Sequence, residues 1–333
     1  MIYNRSLKDD YLNELNYRKS TSYIPFLLGR NAINYLADTL QMDNIILPYY
    51  ICPMVIKIFK NKHINIYYYE QFDNNLAILE EDIIKILEQK IIGKTYFLWN
   101  DYLGITGDIP NKIYDVLNQQ NIIPLIDAIH TLPIKTYQSN IVIYGFRKLL
   151  NESFGALLKF DNYNHSNEEE LNYLKKLYYK IGFFIKNITL QNKLNYFNKF
   201  DFDSNENLLY DNFKCDEIKS KHLKLDYKII CKKRKDNFMF YHSQLSNKID
   251  INFDNIECPY GYPLMVDDNR KYRQKLWDND IHSFILWGEL YEEKENIKQF
   301  KYVQKLRNSN LILPVNQDLT MENLKTIIRI IKS

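Results

Sequence analysis

Between Pro124 and Phe160 the chain twice releases a reactive side chain at the end of an apolar run. Asp127 opens Asp127-Ala-Ile-His130, and Lys148 closes Tyr144-Gly-Phe-Arg-Lys148. A third such run, Ala156-Leu-Leu-Lys-Phe160, follows closely. A carboxylate beside a heterocyclic nitrogen keeps that nitrogen protonated, and an amine can join a carbonyl carbon and later move a proton. Either charge taken singly reads as a solvated loop residue. The ordered pair, with His130 three residues past the acid, points to chemistry.

Placing these groups requires a sheet. Short apolar runs alternate with helix-like segments from Tyr23 to Phe160: Ile45–Leu47, Ile64–Tyr69, Thr95–Trp99, Ile122–Ile126, Ile141–Tyr144 and Ala156–Phe160. The alternation predicts an α/β fold, a mainly parallel sheet between two helix layers. Helical spacing supports the connections, as in Ala32, Ile33, Leu36, Leu40 and in Ile83, Ile84, Leu87. Binding sites in such sheets lie beyond the carboxyl ends of the strands, where Asp127 and Lys148 both fall. The turn Leu28-Gly-Arg-Asn-Ala-Ile33 opens a helix, and its main-chain N–H groups suit a phosphate, although an ordinary helix start has the same form.

From Asn164 to about Phe240 apolar residues recur at helical spacing, including Leu171, Leu174, Leu177, Tyr178, Ile181 and Phe184. Burial against the sheet or a partner subunit accounts for this stripe better than a membrane surface does. From Cys258 the pattern reads strand (Tyr262–Val266), helix (Arg270–Asn279), strand (His282–Trp287) and a final helix from Met321. The division expected is residues 1–225 as a large domain and 226–333 as a small α/β domain.

Composition narrows the class. The 333 residues are 46% hydrophobic, with 44 Lys+Arg against 41 Asp+Glu for a net charge of +3, which argues against nucleic acid as the main partner. Lys232-Lys-Arg-Lys235 and the lysines from Lys219 to Lys224 read as solvated faces. Cys52, Cys215, Cys231 and Cys258 show neither metal-binding nor disulfide spacing, as expected of reduced thiols in a cytoplasm. No apolar stretch is long enough to span a membrane, and the first residues lack the core of a signal peptide. A cytoplasmic protein without membrane or metal is the expectation.

Three elements stand in order: a glycine turn before the first helix, an Asp-x-x-His at a strand end, and a lysine after the next strand. With Leu47-Pro-Tyr-Tyr-Ile-Cys52, they resemble the fold type I enzymes that use pyridoxal 5′-phosphate (PLP), and more narrowly the DegT/StrS sugar aminotransferases. The tail segments Pro263–Val266, Asp280–Trp287 and Asn310–Val315 resemble that family's small domain, so the likeness runs from about Tyr23 to Ile331.

The resemblance implies an aspartate-aminotransferase-like large domain with a seven-stranded sheet, and a homodimer. It implies Lys148 as the Schiff-base lysine, Asp127 as the partner of the pyridine nitrogen, and His130 facing the phenolic oxygen. Gly29, Arg30 and Asn31 fall on the phosphate turn, with Gly145 near the same phosphate. Tyr50 and Cys52 fall on the segment covering one ring face, although Tyr49 and Tyr50 also read as core aromatics. The activity implied is amino transfer from an amino acid such as glutamate to a nucleotide-linked keto-sugar for surface glycan. Departures are Gly145 where many relatives have serine, Ile126 where an acid is usual, Asn151–Gly155 in place of a glycine-rich signature, and a shorter chain. Gly145, Ile126 and the shorter chain motivate one alternative, a non-catalytic or regulatory protein of the same fold; a PLP enzyme acting on a small amino acid is the other. Arg30, Arg147, Arg270 and Arg273 are the candidate anion contacts of a substrate.

Overall fold

The computed structural model describes residues 23–26, 28–150, 155–160, 227–288 and 299–333. Strands β1 (Tyr23–Phe26), β2 (Asn44–Pro48), β3 (Asn65–Tyr69), β4 (Thr95–Asn100), β5 (Ile123–Ala128), β6 (Ile141–Gly145) and β7 (Ala156–Phe160) form a seven-stranded sheet. Their order is β1-β7-β6-β5-β4-β2-β3. β7 runs antiparallel to both β1 and β6, and every other pair is parallel. Each apolar run read from the sequence in this region falls on a strand.

Strands covered on both faces must be apolar on both, and β2, β4 and β6 are buried at every position. The helices on the two faces are α1 (Gly29–Thr39), α2 (Pro53–Asn61), α3 (Glu80–Leu87) and α4 (Asn111–Gln119). Ile45 and Leu47 point into one core with Ala32, Ile33 and Leu36 of α1 and with Ile56 of α2. The intervening Ile46 points into the other, with Ile83 and Leu87 of α3 and Ile113 of α4. One strand thus feeds two helix layers by its two-residue alternation.

The C-terminal part comprises α5 (Tyr227–Gln244), β8 (Gly261–Met265), α6 (Asn269–Trp277), α7 (Lys301–Ser309), β9 (Asn310–Pro314) and α8 (Met321–Lys332). β8 and β9 pair antiparallel, and their core includes Tyr102 and Leu103, which follow β4. The strand expected over His282–Trp287 shrinks to one bridge, in which Phe284 exchanges two hydrogen bonds with Ile312. Trp277 Nε1 donates to the Ser283 carbonyl, and Trp287 turns the chain with φ of 51°, so pairing stops on either side. The basic run on α5 also departs from expectation, because Arg234 is buried, Lys233 and Lys235 are half-buried and Lys232 alone is exposed. The stripe Leu171–Phe184, Cys215 and the lysines from Lys219 to Lys224 lie outside the described residues. Among the described residues no helix is long and apolar enough to cross a membrane, and no group of side chains is arranged to hold a metal ion.

One buried ion pair ties the loop after β5 to the rest. Lys135 Nζ donates to Asp101 at 3.2 Å and to the Asn255 carbonyl at 2.7 Å, and Asp101 also accepts from Tyr137 and the Gly107 N–H. Removing one partner strands a buried charge, whereas removing both does not. In urea unfolding, Lys135→Met is expected to cost about 3–5 kcal/mol, and adding Asp101→Asn should recover part of it. Additive losses in the double variant would contradict this coupling.

Candidate active site

Parallel register sets the site. Across β4, β5 and β6, Asn100 aligns with Asp127, Asp127 with Ile143, and Ala128 with Tyr144. β5 and β6 therefore end level, and the chain leaving each turns out over the same edge. Lys148 sits in a tight turn in which the Phe146 carbonyl accepts the N–H groups of Leu149 and Leu150, and Phe146 N–H donates to Gly155. Its Nζ lies 2.8 Å from Nε2 of His130. Sequence reasoning proposed these two groups together with Asp127, and all three converge.

Asp127 is buried, with Oδ1 accepting from Ile129 N–H at 3.2 Å and Oδ2 from Asn100 Nδ2 at 3.3 Å. Burial pushes its carboxyl above the usual carboxylate range, opposed by the charge of Lys148 and by the Ile129 and Asn100 hydrogen bonds. His130 is also buried, and desolvation followed by the neighbouring Lys148 charge holds its imidazole well below the ordinary histidine range. Its Nδ1 accepts the Leu103 N–H at 3.2 Å. The ring is stacked with Tyr260 at 5.1 Å and with Trp287 at 5.9 Å. Lys148 Nζ lies 5.6 Å from the centre of the Tyr260 ring.

Gly29 and Gly145 meet the acid loop through one residue. A Cβ on Gly145 would lie 2.2 Å from the Ile129 carbonyl oxygen, and one on Gly29 would lie 2.5 Å from Ile129 Cδ1. Glycine at 145 is therefore imposed by backbone contact, and a serine could not enter without moving the loop that carries Asp127 and His130. Asn31 uses its carboxamide oxygen to accept the Leu28 N–H at the start of α1. Arg30 lies beside it, half-buried. Tyr50 donates to the Leu286 carbonyl and packs on Tyr102 and Trp287, both of which touch the His130 ring. Cys52 begins α2 and packs against the first core, while Tyr49 stacks on Phe300 at 4.3 Å as a core aromatic.

Residues that sequence reasoning missed complete the surroundings. Asn100 carried a weak signal, as the polar last residue of an apolar strand. Tyr260, Trp287 and Leu103 carried none, because tertiary packing alone brings them to His130. Arg234 braces the lysine turn, donating to the carbonyls of Leu149, Pro259 and Tyr260.

Chemically, the arrangement can hold a cation at Asp127, form a covalent link through Lys148, and present an uncharged imidazole beside that link. No protein-family model and no curated protein matches the sequence. The fold matches solved structures. The sugar aminotransferase CalS13 from Micromonospora echinospora superposes with a TM-score of 0.63 at 12% identity, over 98% of this chain and 91% of that one. PseC from Helicobacter pylori, an aminotransferase involved in pseudoaminic acid biosynthesis, gives 0.61 at 13%, over 100% and 96%. The PLP-form of Spr1654 from Streptococcus pneumoniae gives 0.65 at 13%, over 97% and 89%. The chain has the fold of these proteins, the α/β architecture with its seven-stranded sheet.

Two outcomes follow from the geometry. Gly145→Ser should displace the Asp127 loop and lower the unfolding midpoint, whereas Gly29→Ala, which meets only a side-chain end, should be tolerated once Ile129→Ala is added. Equal stability of Gly145→Ser and wild type would contradict the contact. His130, whose folded pKa is depressed, contributes stability that is complete above about pH 6.5 and lost as pH falls below it, by up to about 1.4 kcal/mol per pH unit. Asp127 has the opposite sign, so the comparison is with His130→Gln. In urea unfolding at pH 7 and pH 5 the wild type should lose more stability than that variant, and parallel losses would refute the assignment.

Proposed function

We propose that the chain is a PLP-dependent aminotransferase that moves an amino group from an amino acid, glutamate or glutamine, to a nucleotide-linked keto-sugar in surface glycan synthesis. It acts in the cytoplasm as a homodimer, with residues 1–225 as the cofactor-binding domain and 226–333 as the small domain. The observation that carries this reading is the convergence of Asp127, His130 and Lys148 on one sheet edge, with Lys148 Nζ 2.8 Å from His130. The fold shared with the sugar aminotransferase CalS13 and with PseC supports it.

The residues fit the cofactor's polar edge. Asp127 is a buried carboxylate whose hydrogen-bond partners are the neutral Ile129 N–H and Asn100 amide, and burial pushes it toward protonation. A cation placed against it relieves that cost. When bound, PLP supplies an aldehyde that links to amines and a ring that takes up the electron pair left at the donor's α-carbon. Lys148 Nζ would hold the aldehyde carbon, and as a free amine would carry a proton to and from the donor's α-carbon. Asp127 would hold the ring nitrogen protonated, and His130 would serve the phenolic oxygen. The N–H groups of Gly29 and Arg30 at the start of α1 would hold the phosphate, the Asn31 N–H being engaged by the Leu28 carbonyl at 3.0 Å, with Gly145 close by as a packing glycine. Tyr50 and Cys52 flank the ring, and Arg30, Arg147, Arg270 and Arg273 are the anion contacts available to a substrate.

A second reading, a non-catalytic protein of the same fold, draws on Ile129, whose side chain packs against Gly29 where the phosphate turn begins. One titration separates them. Purified protein should turn yellow with PLP and bleach with glutamate or glutamine, and colour should return with a nucleotide-linked keto-sugar. Colour unchanged by every amino donor, or no colour at all, would favour the second reading and exclude the first. Asp127→Ala should stay folded and lose about 10²–10³-fold in turnover, the scale of one preorganised electrostatic contact.

A further inference from the structure

Leu103 stands in the left-handed region, φ 55° and ψ 10°, inside the short turn Tyr102–Gly104. A branched apolar residue is rarely found there, and such a conformation persists only where its surroundings impose it. The imposing contacts converge on His130. Leu103 N–H donates to His130 Nδ1 at 3.2 Å, and the Leu103 carbonyl accepts Tyr260 N–H at 2.8 Å, holding the ring that stacks on the imidazole within 5° of parallel. Gly104, with φ of 70°, leaves no room for a Cβ against the His130 carbonyl at 2.9 Å.

Hydrogen-bond inventory then fixes the imidazole. A neutral ring has one N–H and one lone pair. With the lone pair of Nδ1 taken by Leu103, the proton belongs on Nε2, the nitrogen 2.8 Å from Lys148 Nζ. A protonated lysine has only donors and would meet that N–H head-on. The opposite tautomer would set the Nδ1 proton against the Leu103 N–H and leave a buried donor unsatisfied.

We propose that the main-chain N–H of Leu103 is a positioning group: it reserves the imidazole proton for Nε2, which can donate to Lys148 Nζ only when that amine is unprotonated and so favours the amine over the ammonium whose charge bears on Asp127 and His130. This rests on the proposed role of Lys148 in joining an aldehyde, where the amine adds to the carbonyl carbon and its two protons leave with the oxygen as water. No oxidant is needed. Among the described residues, the titratable groups facing the pair include Asp127, Tyr102 and Tyr260.

The test uses the full chain treated with hydroxylamine to free Lys148 of any bound carbonyl. With ¹⁵N-labelled histidine, and His130→Gln to assign its signal among the six histidines, His130 should show a pyridine-like Nδ1 and a pyrrole-like Nε2. The reverse pattern would overturn the proposal whatever any variant does. Replacing Leu103 by its α-hydroxy analogue deletes the N–H and keeps the side chain, while weakening the Tyr102 carbonyl that accepts the Ile105 N–H. Reductive methylation of Lys148 by formaldehyde and cyanoborohydride at pH 7, read against the other lysines in the same digest, should then slow by about tenfold for each unit the amine's pKa rises. Unchanged labelling in a folded analogue would also overturn it. Failure of PLP to attach while the predicted tautomer is present would count against the proposed function alone. PLP attachment with the reverse tautomer would count against this inference alone.

Discussion

Two neighbouring parallel strands that end at the same level are the constraint from which the rest follows. Parallel strands lie about 4.8 Å apart, so residues within a few positions of two level ends come within reach with no long loop to order. β5 and β6 meet this condition through the pairing of Asp127 with Ile143 and Ala128 with Tyr144. A slip of one residue would turn Asp127 to the other face and separate it from the lysine turn. The register is locked from outside the sheet as well, because Gly145 packs against the Ile129 carbonyl too closely for any side chain.

Bringing an acid, an imidazole and an amine into one buried place is costly unless their charges are arranged. The protein surrounds them with neutral donors and aromatic rings. Asn100 and Ile129 serve Asp127, Leu103 serves His130, and Tyr260 and Trp287 stack on the imidazole. The C-terminal part therefore finishes a site that the sheet begins. Asn310 donates to Tyr102 at 2.7 Å and Tyr50 donates to the Leu286 carbonyl at 3.0 Å, so the aromatic group around His130 is held from both sides. On the proposed function, a cationic ring nitrogen would complete the charge balance at Asp127.

What could be read from the sequence divides along the range of the interactions. Strands such as Thr95–Asn100 and Ile141–Gly145 announce themselves because burial on both faces demands unbroken apolar runs. Asp127, His130 and Lys148 were legible for a related reason: polar residues directly after such runs have nowhere to go but the sheet edge. The pairing partners of β1 and β7 were not legible, since antiparallel return leaves no local mark. His282–Trp287 looked like a strand by composition, but Tyr50, Trp277 and the Trp287 turn claim its backbone and rings. Arg234 looked solvated among lysines, yet helical geometry turns one residue of that run inward to the Leu149 and Tyr260 carbonyls. Gly145 read as a lost hydroxyl, whereas its cause is a backbone contact sixteen residues back at Ile129.

The central claim is that Lys148 is the amine on which the chemistry of this edge turns. The most direct measurement is to reduce the PLP-treated protein with borohydride, digest it, and locate the added mass by peptide sequencing. The account predicts one stoichiometric adduct on the peptide carrying Lys148, absent from Lys148→Ala. Adducts scattered over surface lysines, or one lodged on a different residue, would contradict it.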